Sequence, residues 1–238
     1  MLQSGKHRIV ILCEGGWDVI FLMKFISSFI PNFEKKVVVL ESLRKLMSRL
    51  RNIKSPRCVF IFPFANKGKF SSVACSIIDY VLKYLLQTRS EQSISLLIIR
   101  DQNDEPSEKS RVKKILNELM QGVKQRTSRL RPPHQLICDI NAEGSVYVES
   151  SFGLSLSFTS VRMLVRIVVI SISLECQLIS ALNNKFYRDR SLCKQRLREL
   201  EETCSKEEIV VEALLRLQSD ISTCPWLAAI KTFMKSKS

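Results

Sequence analysis

Four short apolar runs, each followed by a stretch with helical spacing, constrain this chain more than any other feature. The runs are residues 8–13 (RIVILC), 36–40 (KVVVL), 57–62 (RCVFIF) and 94–99 (ISLLII). They are rich in β-branched residues and show no polar alternation, which suits strands buried on both faces of a parallel sheet. The intervening stretches 18–30, 41–51, 71–87 and 106–123 place apolar residues on one helical face. Pro31 closes the first helix, and Pro106 is expected just inside the start of the fourth, where its missing N–H costs nothing. A β-α-β-α-β-α-β-α order predicts an α/β fold, a largely parallel central sheet with helices on both faces.

The pattern changes after Arg131-Pro132-Pro133. Strands are expected over 135–140 and 145–149, a weaker Ser-rich one over 152–158, and an apolar run over 161–173. Helices follow at about 174–186, 190–204, 206–220 and 225–235. The expected organisation is an α/β domain over 1–132 and a mixed, mainly helical part over 133–238, which need not fold alone.

Charge narrows the partners. Lys and Arg number 37 against 23 acids, a formal charge of +14. The segment 32–70 alone holds ten basic residues and two acids. Such a field attracts polyanions, although a basic surface kept for solubility gives the same count. Arg44, Lys45, Arg49 and Arg51 on the second helix, Lys67 and Lys69 beside Gly68, and Lys113 and Lys114 on the fourth helix are the candidate nucleic-acid contacts. The loop around Gly68 lacks the Walker spacing of a P-loop.

The eight cysteines show no zinc-ligand spacing and read as small core residues with reduced thiols, and His7 and His134 stand too far apart to suggest a metal pair. No run is long enough for a membrane span, so a cytoplasmic chain without a membrane partner is expected. A homo-oligomer stays open.

In parallel α/β sheets the ligand crevice lies at the carboxyl ends of the strands. Two acidic clusters fall there: 13–18 (CEGGWD) after the first strand and 100–105 (RDQNDE) after the fourth. Clustered carboxylates repel one another and are relieved by a divalent cation with a preference for oxygen ligands. Glu14, Asp18, Asp101, Asn103 and Asp104 are the candidate metal ligands, with Mg2+ as the expected ion and Mn2+ as its substitute. Glu175, after a strand-like run, is a further candidate for the same crevice. Asp18 would equally serve the N-terminus of the first helix, and Asp104 or Glu105 would equally cap the fourth.

The string 11–22 (ILCEGGWDVIFL) resembles the opening motif of Toprim domains, a strand, a Glu-Gly turn and an Asp four residues after the Glu. Residues 96–104 (LLIIRDQND) resemble the second motif of that family, a strand ending in Asp-x-Asp, and 62–70 (FPFANKGKF) resembles the loop between them. The likeness covers about residues 8–125 and is closest to small stand-alone or OLD-nuclease-like members. It implies a Mg2+-dependent protein acting on phosphodiesters, most simply a nuclease, with Glu14 and Asp101 as catalytic residues and DNA or RNA as partner. Asn103 departs from the pattern: it stands where the second Asp is expected, and an amide oxygen brings no charge. A catalytically impaired module of the same fold that binds nucleic acid or protein is therefore the alternative. A Rossmann-like nucleotide binder ranks last, because Gly15-Gly16 does not make G-x-G-x-x-G.

Overall fold

The computed structural model describes residues 7–30, 37–52, 57–64, 69–88, 93–103, 105–128, 135–156, 159–219 and 224–237. Lys67 and Asp104 lie outside them.

The first eight elements alternate as expected: β1 (His7–Cys13), α1 (Gly16–Phe29), β2 (Val37–Val39), α2 (Leu43–Asn52), β3 (Arg57–Pro63), α3 (Phe70–Thr88), β4 (Ser93–Asp101) and α4 (Glu108–Thr127). A meander follows: β5 (Gln135–Glu143), β6 (Tyr147–Leu156) and β7 (Thr159–Ile170). Four helices end the chain: α5 (Leu174–Asn183), α6 (Arg190–Glu201), α7 (Lys206–Ser219) and α8 (Pro225–Lys235). The seven strands make one sheet in the order β2-β3-β1-β4-β7-β6-β5. Its β2, β3, β1, β4 and β7 are parallel neighbours. β5, β6 and β7 pair antiparallel.

The unbroken apolar character of β1 has a direct reading. Val10 and Leu12 face a core shared with α2, α3 and α4. Ile9, Ile11 and Cys13 face the opposite core, built with α1, α5, α7 and α8. Burial on both faces removes the alternation that a half-exposed strand shows. Where α3 meets α4, Gly122 lets the helices close: a Cβ there would stand 2.5 Å from Cys75 Sγ.

Three local expectations are corrected. Pro106 lies before α4, not in its first turn. Ser107 is the N-cap, its Oγ accepting from the Ser110 N–H at 3.1 Å. The two strands expected over 145–149 and 152–158 are one, Tyr147–Leu156 among the described residues, because Ser150 and Ser151 pair across to Val165 and Leu164 without interruption. The thiols are not all reduced: Cys176 at the start of α5 and Cys193 on α6 form a disulfide, while Cys13, Cys58, Cys75 and Cys224 are buried and in no disulfide. Among the described residues no helix is long and apolar enough to cross a membrane.

Candidate functional site

The strand order puts a switch point between β1 and β4. The chain leaves β1 through α1, on one face of the sheet, and leaves β4 through α4, on the other. The diverging connections open a crevice at the carboxyl ends of these two strands. Glu14 follows β1 directly, Asp101 ends β4, Asp18 lies in the first turn of α1 and Glu175 in the first turn of α5. Four carboxylates from four elements therefore gather at one rim.

Asp18, Asp101 and Glu14 are each held by a defined partner. Asp18 Oδ2 accepts from the Gly15 N–H at 2.9 Å, so it serves the start of α1 as well as the cluster. Asp101 Oδ1 accepts from the Leu174 N–H at 3.1 Å, at the N-terminus of α5, where an anion is favoured. Two arginines supply the countercharge. Arg100 Nη1 stands 2.9 Å from Glu14 Oε1, and its guanidinium lies over the rings of Phe64 and Phe70 at 4.8 and 4.7 Å. Arg190, the first residue of α6, places Nη2 2.9 Å from Asp101 Oδ2 and 3.7 Å from Glu14 Oε2, and Nη1 2.5 Å from Asn103 Oδ1. Glu14 and Asp101, remote in sequence, thus share one guanidinium.

The electrostatics follow from this crowding. Burial, then Glu14, Asp18 and Glu175, push Asp101 up to about 8, against the pull of Arg190. Burial pushes Asp18 up to about 7, opposed by the Gly15 N–H and reinforced by Glu14 and Glu175. Burial also lowers Arg100, opposed by Glu14.

Two backbone positions beside the cluster are left-handed, Asn103 with φ 53° and Ile172 with φ 63°. For a β-branched residue this conformation is strained, by roughly 1–3 kcal/mol. The Ile172 N–H is held by Gln102 Oε1 at 3.2 Å, which ties the β7–α5 turn to the end of β4.

The donor chemistry suits a hard divalent cation: carboxylate and amide oxygens, two of the acids with raised pKa. Their arrangement is a different matter. Among the described residues no group of three or more acids, cysteines or histidines stands close enough to hold a metal, and Arg190 occupies the approach to Asp101 Oδ2 and Asn103 Oδ1. A cation would bind here only with the Arg190 side chain displaced.

The basic candidates divide into two groups. Arg44, Lys45, Arg49 and Arg51 are exposed on α2, beside the edge strand β2. Lys45 pairs with Glu41 at 3.1 Å and Arg51 lies over the Tyr80 ring at 5.2 Å. Lys69 is exposed just before α3, and Lys113 and Lys114 are exposed on α4. Of all these, Lys114 borders the acidic rim: it pairs with Glu105 at 2.5 Å and lines the same cavity as Arg190.

Arg190 escaped sequence reasoning. It joins the site from α6 across 89 residues, and nothing near it in sequence marks it apart from the Asp189 N-cap of its own helix. Glu175 carries a readable signal, an acid in the first turn after a buried strand, as at β1. Compared with protein-family models, with the curated proteins and with the solved structures, the chain matches none.

Proposed function

We propose that this chain is a Toprim-like protein acting on nucleic-acid phosphodiesters, most simply a nuclease that depends on Mg2+ or Mn2+. The observation that carries the reading is the sharing of Arg190 by Glu14 and Asp101 at the switch point of the sheet. Asp101, with Glu14, Asp18 and the Asn103 amide oxygen, would hold the cation. When bound, that ion supplies charge neutralisation at the phosphoryl oxygens and a water of lowered pKa. Glu14 acts as the general acid or base, its carboxylate oriented by Arg100, whose own plane is fixed by Phe64 and Phe70. The exposed basic residues of α2 and α4 and Lys69 hold the phosphate backbone. DNA or RNA is the partner.

A second reading rests on the same arginine. Arg190 spans Glu14, Asp101 and Asn103 as a positive charge built into the protein. This favours a module of the same fold that has lost catalysis and keeps binding. Assays with Mg2+ or Mn2+ on single- and double-stranded DNA and RNA separate the two. The nuclease reading expects cleavage that Glu14→Gln and Asp101→Asn each abolish, with nucleic-acid binding retained. Cleavage that survives both changes discards the catalytic assignment. Binding without cleavage by the unaltered chain selects the second reading.

A further inference from the structure

The acidic rim has a basic neighbour. Asn103, Glu105, Arg111, Lys114, Arg188 and Arg190 line a cavity of about 420 Å³. Two of these, Asn103 and Arg190, also belong to the acid cluster, so cavity and cluster adjoin.

The charges in this cavity do not balance. Arg190 is already engaged by Asp101, Asn103 and Glu14 and is left out of the count. Glu105 is the single acid of the lining, and it is already shared: Lys114 Nζ stands at 2.5 Å, Arg111 Nη1 at 3.9 Å, and the Ser110 hydroxyl donates to it at 3.3 Å. Arg188 lies over the Phe186 ring at 5.2 Å and has no carboxylate partner among the described residues. Arg111, Lys114 and Arg188 against Glu105 therefore leave a surplus of two positive charges.

We propose that this cavity is a subsite for the terminal phosphate monoester of a polynucleotide strand, gripped by Arg111, Lys114 and Arg188. A monoester carries about −1.5 to −2 at neutral pH, which matches the surplus, whereas an internal phosphodiester carries half of that. Guanidinium forks meet phosphate oxygens two at a time, and two of the three gripping residues are arginine. The geometry deepens the proposed function: a strand end anchored here runs past Asn103 and Arg190 to the acid cluster, which makes the chain a reader of phosphorylated ends. The cleavage part rests on the nuclease reading; the phosphate-binding part does not.

The test is run on the full chain in EDTA, where no metal-dependent cleavage occurs. Fluorescence anisotropy compares one single-stranded oligonucleotide with a 5′-phosphate, with a 3′-phosphate and with hydroxyls at both ends. The expected result is at least tenfold tighter binding of one phosphorylated form. Arg188→Met should remove most of that difference, with an unchanged thermal melt. Lys114→Met, at an exposed position, is the second variant and should lower it too. Equal affinities for all three oligonucleotides overturn the proposal, as does an end preference that both variants leave intact. Inorganic phosphate is titrated in parallel by calorimetry. Phosphate binding that depends on Arg188, without any preference among the oligonucleotides, assigns the cavity to a free phosphate and overturns the polynucleotide source. End preference in EDTA together with no cleavage in Mg2+ or Mn2+ supports the subsite while rejecting the nuclease.

Discussion

Replacing Asp101 by asparagine isolates the cost of keeping a carboxyl at the rim of the sheet. The Asp101 side chain is 6% exposed and faces Glu14, Asp18 and Glu175, with Arg190 as its cation. Its pKa rises from 3.8 to about 8. Between those values the folded protein holds a proton that the unfolded chain has released. A folded state with the extra proton loses stability as pH rises, by about 1.4 kcal/mol per pH unit, and the loss is complete above the folded pKa. The asparagine keeps an oxygen for the Leu174 N–H and has no proton to lose. Asp18, also raised, is present in both chains and cancels. The stability of Asp101→Asn relative to the unaltered chain should therefore grow by about 1.4 kcal/mol for each unit between pH 5 and 7, and by less from 7 to 8 as the folded pKa is reached. Urea denaturation in EDTA at pH 5, 6, 7 and 8 reads this difference. Parallel pH profiles would refute the reasoning, because they would mean that Arg190 alone keeps Asp101 ionised across the range.

Two further outcomes test the frame around the site. Arg166 is buried, pairs with Glu149 at 2.6 Å, donates to the Ala229 carbonyl at 3.0 Å and lies over the rings of Tyr147 and Phe233. Arg166→Met leaves Glu149 uncompensated and should cost about 3–5 kcal/mol in urea denaturation, and a loss under about 1 kcal/mol contradicts the pairing. The Cys176–Cys193 bond closes a loop of sequence separation 17, so Cys176→Ser with Cys193→Ser should cost about 3 kcal/mol. Alkylation of the denatured, unreduced chain followed by mass spectrometry should mark six of the eight cysteines; eight marks would show that the bond is not formed.

The parallel half of the sheet was legible because strands buried on both faces leave continuous apolar runs and their helices leave a 3.6-residue spacing. Residues 8–13 became β1 with one residue added, and Asp101 fell at the end of β4 as expected. The adjacency of β1 and β4, which brings Glu14 and Asp101 to one rim, was a condition of the sequence reading that the strand order meets, since alternation alone does not fix which strands are neighbours. The meander was less legible. β7 is half exposed in its first residues and buried on both faces from Val165 on, where it crosses from the β6 flank into the middle of the sheet. No local pattern says that it docks on β4. The helical half was readable as helices and, apart from Glu175, unreadable as site. Arg188 and Arg190 look like two more charges in a mixed segment, and only packing of α6 against α5 brings them to the rim. The disulfide was hidden for the same reason, since Cys176 and Cys193 meet by that packing and not by any spacing.

The most direct test is a calorimetric titration of Mn2+ into the metal-free chain at pH 8, where Asp18 is ionised and Asp101 at its midpoint. One Mn2+ per chain, lost in both Glu14→Gln and Asp101→Asn, is the predicted result. Mn2+ binding that neither change weakens, or no binding up to millimolar ion, would contradict a cation site at this rim.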